Sequence, residues 1–278
     1  MPLAPTDDII GAAYATGRGV GAFNVVQLEH AEAIVAGAEH AGLPVILQIS
    51  ENTVRYHGSL APVGWATLAL ARQASVPVAV HLDHAESESL VREAVDLGFT
   101  SVMFDASRLP YEENVAATRA ITDHCHRLDV YVEAELGEVG GKDGAHAPGV
   151  RTDPEEARAF ASATAVDCLA VAVGSSHAMH TRNAVLDLGL ITRLRDAVSI
   201  PLVLHGSSGV SDEDLVRAVA SGMTKVNIST HLNGLFTEAV RGHLTAHPAT
   251  TDPRKYLGPA RDAVAAEVNR LLGVLAGI

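Results

Sequence analysis

The chain has 278 residues, 47% hydrophobic but only 4% aromatic, with a formal charge of −13. That length and apolar content suit one α/β domain with an aliphatic core. So acidic a surface argues against nucleic-acid binding and requires local groups to hold any anionic substrate.

The opening MPLAPTDDII has no basic stretch followed by an apolar one, so it reads as no signal peptide. Eight short apolar, β-branched runs follow and are predicted as strands: 20–26, 44–50, 77–83, 100–105, 130–136, 167–174, 200–206 and 223–229. Segments of helical spacing lie between them. LEHAEAIVAGAEHAG is the clearest, with Leu28, Ala31, Ile34, Val35 and Ala38 on one stripe. Gly42, Gly98 and Gly222 sit where helices should end, and Ser211 with Asp214 resembles a capping box. His124, Cys125 and His126 fall inside the helical run EENVAATRAITDHCHRL, where neighbours point about 100° apart and cannot chelate together. His231, His243 and His247 read as helix or surface residues. Cys125 and Cys168 make no CxxC pair and indicate a reduced, cytoplasmic setting. No run of about 18 apolar residues suggests a membrane span. HLTAHPATTDPRKYLGP interrupts the pattern, and a last helix is expected at 260–275.

Apolar strands alternating with helices imply a parallel sheet covered by helices. Eight such units in about 230 residues fit a closed (β/α)8 TIM barrel. One domain over 1–278 is expected, with the barrel at about 20–246 and a C-terminal helical extension at about 252–278. An open doubly wound sheet is disfavoured, because no GxGxxG follows the first strand and there is no Walker loop.

In a barrel of this kind, chemistry collects where strands end. Every predicted strand carries a polar group near its end: Asn24; Gln48 and Ser50; Asp83 and His84; Asp105; Glu135; His177; His205; Asn227 and Ser229. His84, His177 and His205 come from three different strands and could hold one metal ion with open positions. Zn²⁺ suits such ligands best, with Co²⁺, Fe²⁺ or Mn²⁺ as alternatives. Asp83, next to a ligand, could orient it or move a substrate proton. The loop ELGEVGGKDGAHAPGV is a candidate lid carrying Glu138, Lys142 and Asp143. Gly206, Ser207 and Ser208, and Asn227, Ser229 and Thr230, could bind phosphate at the ends of strands seven and eight. Of three lysines, Lys142, Lys225 and Lys255, none is placed for a Schiff base, and Lys225 is read as lying at the far end of the barrel.

The ordered motifs GAFNV, PVILQIS, HLDHAES, SVMFDAS, VEAELGEVGG, VAVGSSHA, PLVLHGSSG, TKVNIST and DPRKYL, from about Gly21 to Tyr256, resemble the class II, metal-dependent ketose-bisphosphate aldolases. This family includes fructose- and tagatose-bisphosphate aldolases. The resemblance implies a catalytic Zn²⁺ on His84, His177 and His205, with Glu135 and Asp105 as alternative ligands or ligands of a second divalent or a monovalent cation. It implies reversible cleavage of a ketose bisphosphate into dihydroxyacetone phosphate and an aldehyde such as glyceraldehyde 3-phosphate, through a metal-stabilised enediolate. Asp83 would carry the proton of the hydroxyl on the cleaved bond. Asn24 and Ser50 would contact substrate, and Gly206, Ser208, Asn227, Ser229 and Thr230 would bind phosphate. Three positions depart from the family pattern. Ala178 replaces a glycine of the phosphate loop, Asp143 stands where a loop glutamate is proposed as base, and His231 replaces an acidic residue. The resemblance also implies a homodimer or homotetramer, and Val264, Val268, Leu271, Leu272 and Leu275 of the last helix are candidate interface positions. Two competing readings are a metallohydrolase, disfavoured because GAFNVV has no HxH pair, and a non-catalytic sugar-phosphate binder.

Overall fold

The computed structural model describes residues 2–136, 151–177, 179 and 181–278. Eight parallel strands close on themselves in sequence order. They are β1 (Val20–Asn24), β2 (Val45–Ser50), β3 (Val78–Ala85), β4 (Ser101–Phe104), β5 (Tyr131–Leu136), β6 (Cys168–Val171), β7 (Leu202–Leu204) and β8 (Met223–Ile228). Closure is carried by β1 against β8, where Val20 pairs with Lys225 and Ala22 with Asn227. The (β/α)8 TIM barrel expected from the alternation is the fold.

Strand residues alternate between two cores, as the pleat requires. Outward residues such as Phe23, Leu47, Val80 and Leu204 join the large cluster under the surrounding helices. Inward residues Ala22, Ile46, Ala79, Met103, Cys168, Ala170 and Val203 form a second, smaller cluster in the lower barrel. A helix that the sequence reading did not anticipate, α1 (Thr6–Thr16), closes that lower end with Ile9, Ile10 and Ala13. Higher up, the interior turns polar: Asn24, Gln48, His81, Asp83, Glu133, Glu135, His205, Lys225 and Asn227 are all under 10% exposed. Polar groups so far from water must satisfy one another.

The helix α2 (Leu28–Ala41) confirms the predicted stripe except at Leu28, which stands exposed at its first turn. Gly42 and Gly98 are left-handed C-caps, and Ser211 Oγ accepts from Asp214 N at 3.1 Å. The last helix, α11 (Arg254–Ala276), starts six residues before its predicted start at 260. Pro259 lies inside it on an exposed face, where one missing donor is tolerated. The candidate interface positions Val264, Val268, Leu271, Leu272 and Leu275 are at most 2% exposed. They pack α11 onto α2 and β1 of the same chain, so they offer no face to a second copy.

The α2–α11 contact is close because Gly37 has no side chain. A Cβ there would sit 2.6 Å from the Ala265 carbonyl oxygen and 2.8 Å from Val268 Cβ. Gly37→Val should therefore overpack this seam and lower the unfolding free energy by about 1–3 kcal/mol, measured by denaturant titration. An unchanged midpoint would show that α11 does not dock this way.

Candidate metal and substrate site

The polar end of the barrel opens into a cavity of about 260 Å³. Asn24, Gln48, Ser50, Asp83, His84, His177, Gly206, Ser208, Asn227, Ser229 and Thr230 line it. Strand-end reasoning had singled out each of these.

Asp83 and His84 are consecutive, yet both face the cavity. The strand does not end between them. Its register with β4 shifts between Leu82 and Ala85, and His84 adopts a left-handed backbone, φ 49°. This bulge re-aims one side chain without ending the strand. His177 arrives differently. β6 and β7 are shorter than predicted, and the chains beyond them meet backbone to backbone. Gly206, φ 65°, has no Cβ, and one there would lie 2.6 Å from the Ser176 carbonyl. That close approach brings the His177 ring to within 5.7 Å of His205 and 5.0 Å of His84, centroid to centroid.

One ligand atom from each of His84, His177 and His205 can be chosen so that all lie within 4.8 Å of one another. His84 Nε2 faces His205 Nδ1 at 2.8 Å. The other nitrogen of each ring is held by a carboxylate: His84 Nδ1 by Asp105 Oδ2 at 3.2 Å, His205 Nε2 by Glu133 Oε1 at 2.8 Å. Such outer bonds fix the tautomer that leaves a lone pair facing inward. Burial pushes His205 well below its ordinary pKa, and the Lys225 charge acts in the same direction. A buried neutral imidazole is a metal donor in waiting. The set fits a divalent cation of the zinc type.

His84, Asp105 and Glu135 form a second possible grouping. It uses the Nδ1 side of His84, with Glu135 Oε2 at 3.9 Å. A neutral ring that donates its Nδ1 proton to Asp105 cannot also ligate through that nitrogen. Asp105 is in turn held by the Ser107 hydroxyl and amide, at 2.6 Å and 3.2 Å.

Asp83 lies 3% exposed. It accepts from Asn24 Nδ2 at 3.2 Å and from Gln48 Nε2 and Asn227 Nδ2 at 3.5 Å. Burial opposes its charged form, whereas the Lys225 charge, and His84 or His205 whenever either ring takes a second proton, favours it; the balance lies below the ordinary carboxylate value. A carboxylate on the cavity wall can take a proton from a substrate hydroxyl.

At the far wall, Ser208 Oγ accepts the amides of Ser229 and His231, both at 3.2 Å. This leaves the Ser208 O–H to donate into the cavity beside the start of α10 (Thr230–Ala246). Ser207 does not join it, because its hydroxyl turns back to the Leu204 carbonyl at 3.0 Å. Ser50 caps α3 (Glu51–His57), accepting from Thr53 N at 3.3 Å. His231 turns away from the cavity to Glu267 Oε1 at 2.7 Å. Asp143 and Ala178, with Glu138 and Lys142 of the expected lid, lie outside the described residues.

Sequence reasoning missed several groups. Arg55 and Arg108 line the cavity mouth, paired with Glu51 at 2.7 Å and Glu86 at 3.7 Å. Both sit in segments after a strand, where charge is common and no spacing marks them. Lys225 corrects the sequence reading. Its backbone is level with the first residue of β1, but its side chain runs up the barrel interior. The Nζ donates to Glu133 Oε2 and Asn227 Oδ1, both at 2.8 Å, directly beneath the histidines. Neither Lys225 nor Glu133 lines the cavity, so a Schiff base on this lysine remains out of reach of a substrate. Nearby, burial and the Lys225 charge push His81 down to about 3. His81 is therefore neutral, and the partner charge for Glu133 is the lysine.

A family model described as class II fructose-bisphosphate aldolase matches residues 4–277. The fructose-bisphosphate aldolase of Geobacillus stearothermophilus is 42% identical over 272 residues, spanning 96% of this chain and 95% of that protein. Among solved structures, the YdjI aldolase of Escherichia coli K12 superposes with a TM-score of 0.85 at 32% identity, covering 98% of this chain and 97% of that one. A fructose-bisphosphate aldolase of Campylobacter jejuni, with a TM-score of 0.80 at 23% identity and coverage of 97% and 93%, shares the fold.

His205→Ala removes the most buried of the three imidazoles. The purified variant should retain less than about a tenth of the wild-type metal after dialysis, measured by elemental analysis. Full retention would show that the cation sits elsewhere.

Proposed function

The chain belongs to the class II fructose-bisphosphate aldolase family, and from this membership and its three-histidine centre we infer a zinc-dependent cleavage of a ketose 1,6-bisphosphate. The products are dihydroxyacetone phosphate and an aldehyde, glyceraldehyde 3-phosphate being the one expected from fructose or tagatose bisphosphate. The observation that carries this reading is the meeting of His84 Nε2 and His205 Nδ1, 2.8 Å apart, with His177 and the Asp83 carboxyl lining the same cavity.

A divalent cation held by His84, His177 and His205 supplies Lewis-acid polarisation of the donor carbonyl. The rest falls to the chain. Asp83 takes the proton from the hydroxyl on the carbon that becomes the aldehyde, and returns it in the condensation direction. Asn24 and Gln48 hold that carboxylate in place: Gln48 Nε2 donates to Asn24 Oδ1 at 2.7 Å, which turns Asn24 Nδ2 toward Asp83. The Ser208 hydroxyl and the residues opening α10, Ser229 and Thr230, hold one phosphate. Arg55 and Arg108, across the cavity mouth, supply positive charge for the second phosphate, which a chain of charge −13 must otherwise repel. Homo-oligomer formation and a cytoplasmic setting are part of the same proposal.

Purified protein with added zinc should cleave fructose or tagatose 1,6-bisphosphate, and exhaustive EDTA treatment should abolish turnover until zinc is restored. Asp83→Ala should keep wild-type zinc content but lose about 100-fold or more in kcat. Turnover that survives complete chelation would overturn the metal reading, and near-normal rates in the aspartate variant would remove its role. Arg55→Ala and Arg108→Ala should each raise KM for the bisphosphate about tenfold with little change in kcat. Equal losses on a ketose 1-phosphate would show that they do not read the distal phosphate.

A further inference from the structure

Beneath the three histidines lies an ion pair for which the aldolase reading has no task. The side chains of Lys225 and Glu133 are each 1% exposed. Taking two charges from water is costly, and well-packed apolar side chains would fill the same space at least as favourably. Packing therefore does not account for the pair.

The direction of its hydrogen bonds does. A carboxylate only accepts, so Glu133 Oε1, 2.8 Å from His205 Nε2, requires the proton on that nitrogen. Nδ1 is then a lone pair on the side of His84. An ammonium only donates, so Lys225 Nζ, 2.8 Å from Asn227 Oδ1, faces the oxygen of that amide and turns its nitrogen the other way. Asn227 Nδ2 lies 3.5 Å from Asp83 Oδ1 and 3.1 Å from His205 Nε2. Because His205 Nε2 already carries a proton aimed at Glu133, it cannot accept from the amide. The amide hydrogens are left for Asp83 and the cavity.

We propose that Lys225 and Glu133 are positioning residues of the metal centre: one buried ammonium–carboxylate pair sets both the ligating face of His205 and the donating face of Asn227. This inference rests on the metal reading of the site. It adds that the tautomer of a ligand and the orientation of a substrate-facing amide are fixed from one point below the cavity.

Glu133→Gln gives the test an internal contrast. The new amide has one oxygen, and Lys225 claims it. Its NH₂ then faces His205 and drives the proton to Nδ1, the wrong nitrogen. Removing the lysine as well, in Lys225→Met/Glu133→Gln, frees the amide to offer its oxygen to His205, while Asn227 loses the ammonium that holds its oxygen and keeps only the longer contact to Asp83. Zinc affinity is measured by competition with a chromophoric chelator, kcat and KM by steady-state assay, and folding by circular dichroism and Tm. The single variant should lose about 10–100-fold in zinc affinity. The double variant should recover to within about threefold of wild type, yet remain about tenfold or more below it in kcat, with a smaller change in KM.

Wild-type zinc affinity in folded Glu133→Gln, or full kcat in the double variant, would overturn the proposal. So would a double variant that binds zinc no better than the single one. If the single variant does not fold, the charge-balanced double variant decides alone: low kcat with zinc retained supports the proposal, and full kcat or lost zinc contradicts it. His177→Ala is the control. If wild type binds no zinc, or this variant binds it equally well, the metal reading has failed rather than the positioning pair.

Discussion

The contact between His84 Nε2 and His205 Nδ1, 2.8 Å apart, joins two residues 121 positions distant in the chain. Two neutral nitrogens so placed repel unless something electron-poor lies between them or one carries a proton toward the other. Everything around them is arranged to move protons to the outer nitrogens, by Asp105 on one ring and Glu133 on the other. The barrel makes the meeting possible: only closure brings β3 and β7 to face one interior. His205 and Asp83 are at most 3% exposed, and at such buried positions a fixed lone pair and a fixed carboxylate act more strongly than they would in solvent.

The pairing continues downward. The lower barrel is apolar and plugged by α1, and the upper barrel is polar and opens to the cavity. Lys225, Glu133 and His81 occupy the boundary between the two. A layer of charge there couples the scaffold to the site, because its hydrogen bonds leave few alternative arrangements. Two local distortions complete the centre. The left-handed backbone at His84 and the glycine at 206 each place a histidine that regular strands would have aimed elsewhere.

The architecture and the clustering of the three histidines are legible in the sequence because they follow from strand period and strand ends. Asn24, Asp83, Asp105, Glu135 and His205 could be found by counting along an apolar run to its polar end. What stayed hidden depends on reach and on tertiary packing. Lys225 was placed by its backbone, while its function lies at the tip of a long side chain. Glu133 sits inside a run read as strand, two residues before the more conspicuous Glu135. The α1 helix buries only Thr6, Ile9, Ile10 and Ala13, too short a stripe to announce itself. In sequence the apolar face of the last helix is compatible with a surface for a second copy, but α2 of the same chain covers it through the gap left by Gly37. Sequence shows that a face is apolar but does not say what will cover it.

The central claim is that three imidazoles, one on β3 and two beyond the ends of β6 and β7, share one cation. Anomalous diffraction at the zinc absorption edge, on crystals of the purified protein grown with zinc, tests it most directly. The account predicts one strong peak about 2.0–2.1 Å from His84 Nε2, His205 Nδ1 and a nitrogen of His177. A peak on Asp105 and Glu135 without His205, or no peak in the cavity at all, would contradict it.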